Sequence, residues 1–159
     1  MRLGIDPGIT GALALLDGDE VLWVRDMPIM EKASGKGNQV NAAILADIVM
    51  DAMHEAESKE EKLTVYLERV SAMPGQGVTS MFSFGMSTGI VQGVVGAYHL
   101  PLIMPHSTKW KKRAGLIGKP KDLARTLVIH QHPEVADQMT RKKDVGRADA
   151  VLIARYGFN

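Results

Sequence analysis

Residues 3–25 constrain the fold more than any other stretch, because they hold three apolar runs separated by turns too short to let the chain cross over. Leu3-Gly4-Ile5 leads through Asp6-Pro7-Gly8-Ile9-Thr10 into Gly11-Ala12-Leu13-Ala14-Leu15-Leu16, and Asp17-Gly18-Asp19 then reverses the chain into Val21-Leu22-Trp23-Val24-Arg25. Asp-Gly between apolar runs is a hairpin signal, and connections this short join antiparallel strands. The chain therefore begins as an antiparallel meander. Its first turn also carries chemistry. A single carboxylate, Asp6, stands at a strand end beside Pro7, Gly8 and Gly11, which bend the backbone and leave the space above it bare. Such an acid suits holding a metal ion against a phosphate; it equally suits an ordinary strand-to-strand turn.

Beyond the meander the pattern alternates between helix and strand. Pro28 ends the third strand, and residues 31–39, with two Gly and two Lys, read as an exposed loop. From Asn41 to Glu57, Leu45, Val49 and Met53, with Ile44 and Ile48, recur at helical spacing, and Glu55, Glu57, Glu60 and Glu61 form a solvated acidic end. Residues 63–70 form a near-continuous apolar strand of the kind buried on both faces in a parallel arrangement, and this strand carries Glu68. After a loop rich in Pro and Gly, a helix is expected over residues 80–98 with Thr79 or Ser80 as N-cap. Along it, Gly85, Gly89, Gly93 and Ala97 fall at four-residue steps. Such a flat stripe serves close packing on a sheet or pairing of helices across a dimer. Ser83, Ser87, Thr88 and Gln92 break the apolar face, which argues against a membrane-dimerisation motif. Leu102-Ile103-Met104 completes a strand–helix–strand unit, whose strands should lie parallel. A meander followed by helix-linked parallel strands is the order of the ribonuclease H-like architecture: α/β class, a mixed five-stranded sheet with helices on both faces, here as a single domain over residues 1–159.

Charge separates along the chain. Residues 1–99 hold 7 Lys/Arg against 13 Asp/Glu, while residues 100–159 hold 12 against 5. A basic third joined to an acidic remainder points to a polyanionic partner such as nucleic acid, or to a solvated charged surface. The cations cluster. Lys109, Lys111, Lys112 and Arg113 surround Trp110, which suits stacking on a base or filling the core and is assigned to the core, and Lys119 and Lys121 flank Pro120 at the expected start of a further helix, where a phosphate contact is expected. His106, His130 and His132 are assigned no ligand role. The absence of cysteine excludes a disulfide or a thiolate metal site. With no recognisable signal peptide or membrane span, a cytoplasmic location is expected.

The closing segment, residues 144–156, reads as a helix. Asp149 lies at offsets of 3, 4 and 7 from Leu152, Ile153 and Tyr156, so an inward face carries an acid. A carboxylate on such a face must be paired, bind a cation or take up a proton. Asp6, Glu68 and Asp149 each end an element directed at the same sheet edge. Oxygen ligands without Cys or convergent His select Mg²⁺ or Mn²⁺, and two such ions about 3.5–4 Å apart can hydrolyse a phosphodiester.

Five motifs, GIDPGITGALAL, YLERV, MPGQGVTSMFSFGMSTGIVQG, PHSTKWKK and GRADAVLIA, follow one another across nearly the whole chain. In this order they resemble the RuvC family of Holliday junction resolvases, and its phage-encoded branch more than its bacterial one. The resemblance implies a homodimer that binds four-way DNA junctions and nicks strands of like polarity symmetrically, leaving 5′-phosphate and 3′-hydroxyl ends. It makes Asp6, Glu68 and Asp149 metal ligands. The family's usual Asp or His three positions before the last acid falls on Gly146, so Asp144 is the expected substitute, although it also reads as a helix-capping Asp. Lys111, Lys119 and Lys121 fall in the family's lysine segment, Lys121 as a catalytic candidate. Lys109, Lys112, Arg113, Met73 and Gln76 are the remaining expected DNA contacts. Ser71 stands where bacterial members place an aromatic wedge, and Met73 is the nearest apolar replacement. Three other readings compete: the sugar-kinase and actin-like ATPases, which need two such lobes; a junction-binding protein with weak or no cleavage; and a related nuclease acting on other branched DNA or on RNA.

Overall fold

The computed structural model describes residues 1–158 apart from 70, 72–74 and 76. The meander forms as expected: β1 (Arg2–Ile5), β2 (Ala12–Asp17) and β3 (Glu20–Asp26) pair antiparallel, Leu3 opposite Leu15 and Ala14 opposite Val24. Residues 31–39 are not wholly loop. β4 (Ile29–Glu31) and β5 (Asn38–Val40) pair antiparallel as a separate two-stranded sheet. Helix α1 (Ala42–Ser58) follows, and the Asn41 side chain accepts hydrogen bonds from the Ala43 and Ile44 N–H groups at 3.1 and 3.2 Å, satisfying two orphan donors of the first turn. β6 (Thr64–Leu67) then lies parallel to β1, and β7 (Leu102–Ile103) parallel to β6 after helix α2 (Val78–Ala97). The five-stranded order is β3-β2-β1-β6-β7. The chain closes with α3 (Ser107–Arg113), α4 (Leu123–Gln131), two 3-10 turns (Pro133–Met139 and Lys142–Asp144) and α5 (Val145–Tyr156).

Alternation along β2 builds both layers. Leu13 and Leu15 join Leu3, Ile5, Leu45, Val49, Val91 and Val95 on one face, against α1 and α2. Ala12, Ala14 and Leu16 face the other way, onto Trp110, Val128, Val151 and Leu152. Each fully buried Leu or Val adds about 1.5–3 kcal/mol, so both layers are needed to offset the ordering of the sheet.

The seating of α5 on the sheet depends on small residues. A Cβ at Gly4 would run into the Ala150 carbonyl oxygen and the Ala154 backbone nitrogen. Only glycine lets the helix come this close to β1, and the approach carries Asp149 toward the end of that strand.

Helix α2 departs from expectation in two ways. Gly77 holds the N-cap position without a side-chain bond, and Thr79 and Ser80 lie inside the first turn. The glycine stripe does not pack on the sheet: a Cβ at Gly85, Gly89 or Gly93 would meet nothing within 4 Å. The inward side is instead Ser87, Thr88, Val91 and Val95. The Ser87 and Thr88 hydroxyls donate to the Ser83 and Phe84 carbonyls, both at 3.0 Å, which lets these polar residues face inward. Outward stand Val78, Phe82 and Met86, at 80%, 69% and 37% exposure. With 20 residues and a mean hydropathy of 1.2 over its best window, α2 is long and apolar enough to cross a membrane by length and composition.

The helix expected to open near Pro120 starts later, at Leu123. Residues 116–122 form turns instead, with Gly118 at φ +70° and the Leu123 N–H donating to the Pro120 carbonyl at 3.0 Å.

Candidate active site at the ends of the central parallel strands

The parallel pairing of β1 with β6 places two acids side by side. Ile5 is in register with Leu67, and the ladder continues one step as the Glu68 N–H donates to the Ile5 carbonyl at 3.1 Å. Asp6 and Glu68 therefore leave adjacent strands at the same level. This is the carboxyl edge of parallel strands, where open α/β sheets place their ligands. Asp149, in the second turn of α5, is the third acid of the group.

The backbone around Asp6 is tightly wound. The Asp6 N–H donates to the Ala12 carbonyl at 3.0 Å and the Gly11 N–H to the Gly8 carbonyl at 2.8 Å. A Cβ at Gly11 would collide with the Asp6 carbonyl, so this glycine serves the turn rather than open space above the acid. Gly8 differs. Its Cβ would sit at ordinary contact distance, 3.7 Å from the Phe84 ring and 3.8 Å from Asp6 Oδ1.

Electrostatics tie the three acids together. Burial, then repulsion from Glu68, raises the Asp6 carboxyl to about 6, partly opposed by the Gly8 N–H and by Lys111. Burial, then repulsion from Asp6, raises Asp149 to about 7, with Lys111 and Lys121 pulling it down and Glu68 pushing it up. The fields of Lys111 and Lys121 in the basic segment are thus felt by the acids, that of Lys111 by both Asp6 and Asp149. Negative charge still exceeds positive, which is what a cation would relieve. The oxygens do not form a finished cage: among the described residues no three such side chains are spaced to hold an ion. The donor set nevertheless suits Mg²⁺, which is commonly bound through one or two carboxylates, waters and substrate phosphates rather than by protein alone.

Asp144 is not in this group. Its carboxylate accepts from the Arg141 N–H at 2.8 Å and from the Arg141 guanidinium at 2.8 to 3.2 Å, and Arg141 and Arg147 hold its pKa below the usual value. The structure thus pairs Asp144, the expected substitute ligand, with guanidinium rather than bringing it to the other three acids, and a carboxylate so compensated has little left to offer a cation. Gly146 cannot complete the set on this backbone either, since a Cβ there would collide with the Thr10 carbonyl. The position is glycine because α5 rests on the Asp6 turn.

The expected DNA contacts divide. Arg113 donates to the Tyr156 carbonyl at 3.1 Å and lies over the Phe158 ring, so its charge serves the end of α5. Lys109, Lys112 and Lys119 are exposed, while Met73 and Gln76 lie outside the described residues. Trp110 lies in the core as expected and is fully buried; it also donates its indole N–H to Glu68 Oε1 at 3.1 Å. Phe84, at the Gly8 turn, was not singled out, because nothing in the pattern of α2 distinguishes it from Phe82.

No family profile matches the sequence. Over 103 residues, 64% of this chain, it is 30% identical to the chloroplastic Holliday junction resolvase MOC1 of Chlamydomonas reinhardtii, and that stretch spans 12% of the relative's length. Among solved structures, it is similar to Thermus thermophilus RuvC, with a TM-score of 0.55 and 18% identity, covering 96% of this chain and 90% of that one. The T. thermophilus RuvC complex with a Holliday junction substrate matches at a TM-score of 0.55 and 17% identity, covering 96% and 89%. These likenesses establish the fold as the ribonuclease H-like fold of RuvC.

Proposed function

We propose that this chain is a metal-dependent endonuclease that resolves four-way DNA junctions by paired, symmetric phosphodiester hydrolysis. The observation that carries the reading is the meeting of Asp6, Glu68 and Asp149 at the carboxyl edge of β1 and β6, within the field of Lys111, on a RuvC-like sheet. The names of the similar proteins, a Holliday junction resolvase and RuvC bound to a Holliday junction, support four-way junctions over other substrates. The ordered motifs favour the phage-encoded branch.

Asp6, Glu68 and Asp149 would hold Mg²⁺ or Mn²⁺, two ions per site. A metal held there would supply an activated water as the nucleophile and positive charge for the leaving oxygen. Lys111 and Lys121 compensate the acids and steer the phosphate backbone toward them. Lys109, Lys112 and Lys119 extend the cationic surface for DNA. A dimer forms through α2, whose glycine stripe faces open space while Val78, Phe82 and Met86 are exposed along the helix. Two sites related by that dimer would give two symmetric nicks.

Purified protein with Mg²⁺ should nick a synthetic four-way junction at symmetric positions, spare linear duplex of the same sequence, and lose cleavage but not junction binding in Glu68→Gln. Equal cutting of linear duplex would sink the junction reading. Undiminished cutting by the variant would sink the site.

A further inference from the structure

The indole of Trp110 touches two site groups at once. Its N–H donates to Glu68 Oε1 at 3.1 Å, and its ring face carries the Lys111 ammonium 4.9 Å from the centroid. Trp110 has no solvent exposure and packs in the layer between the sheet and α5. A side chain locked on all sides is a stiff donor, so the bond restrains where Glu68 Oε1 can lie.

We propose that Trp110 is a positioning residue for Glu68, holding Oε1 through its indole N–H so that Oε2 is presented to the metal; this rests on the metal-holding reading of the three acids. The donor's neutrality matters. Arg141 orients Asp144 by ion pairing and in doing so supplies the positive charge a metal would otherwise bring. An indole N–H orients without neutralising, which leaves the full charge of Glu68 available. The same ring supports Lys111, whose field reaches Asp6 and Asp149. The core residue of α3 thereby sets the second acid and the nearest cation in one register.

The test is Trp110→Phe, which keeps an aromatic ring in the core and under Lys111 but lacks the N–H. Mn²⁺ alone is titrated into wild type and variant by calorimetry, without DNA, beside metal-free melting curves. Loss of an orienting partner of a ligand typically costs about 10- to 100-fold in metal affinity, and a weakening of that size with a wild-type melting profile supports the proposal. Equal affinity overturns it while leaving the metal site standing. Wild type that binds no Mn²⁺ overturns both. Should the variant fail to fold, Trp23→Phe leaves Trp110 as the sole indole. Its emission should then change saturably with Mg²⁺, and emission that stays flat where calorimetry shows saturation overturns the proposal.

Discussion

Two aspartates five residues apart, Asp144 and Asp149, flank the start of α5 and live in opposite electrostatic settings. Asp144 is covered by Arg141, feels Arg147, and has its pKa lowered; Arg147 in turn grips Asp26 at 2.6 and 2.7 Å, tying α5 to the end of β3. Asp149 faces Asp6 and Glu68 and is raised to about 7. The first acid is complete within the protein. The second is kept in surplus negative charge, at a cost to folding that a bound cation would relieve. Asp144 closes the turn before α5 and is compensated by neighbours three residues away on either side, whereas Asp149, inside α5, meets acids brought from the ends of β1 and β6.

Asp149→Asn gives the largest test of this contrast. It should abolish cleavage, by about a thousandfold or more as for other residues that act in a catalytic unit, and yet stabilise the metal-free protein. The sign follows from linkage: an acid whose folded pKa lies above its unfolded value binds more protons when folded, so stability falls as pH rises from about 4 toward 7. Removing that charge should raise stability at pH 8 by on the order of 2 kcal/mol and give no gain at pH 4. Thermal melts at the two pH values, in chelator, would show it. A variant less stable than wild type at pH 8 would break the claim of uncompensated charge.

Asp144→Asn should do the reverse on a smaller scale. Cleavage should stay within a few-fold of wild type, while loss of the charged pairing with Arg141 lowers stability by about 1 kcal/mol, about 2–4 °C in a chain of this size. Loss of cleavage as complete as in Asp149→Asn would return Asp144 to the ligand set.

Much of this contrast could be read from the sequence, and the rest could not, for identifiable reasons. The meander was legible because Asp17-Gly18-Asp19 and the alternation of β2 are local signals. Asp149 stood out because its offsets from Leu152 and Ile153 put an acid on an inward face. Asp144 was ambiguous, since capping, ion pairing and ligation need the same residue type and differ only in where Arg141 turns. β4 and β5 are three residues each, too short for any period to register beside Gly35 and Gly37. The glycine stripe of α2 allowed packing or pairing, and only the fold shows that Ser87 and Thr88 face inward. The second role of Trp110 was hidden for a related reason: burial was evident, but the partner of its N–H lies one residue past the end of β6, 42 residues earlier.

The smallest expected effect lies at Gly8. A Cβ there meets the Phe84 ring and Asp6 Oδ1 only at ordinary contact, and the residue is not among those at positive φ, so Gly8→Ala should change stability by no more than about 0.5 kcal/mol. Gly11, where a Cβ would strike the Asp6 carbonyl, has no such tolerance. If the bare backbone at Gly8 exists for a phosphate to approach the acids, the added methyl should raise KM for the junction several-fold while leaving metal-free melting and Mn²⁺ affinity unchanged. Unaltered KM would mean that the phosphate comes in elsewhere, and that the glycines of this turn serve the chain's path alone.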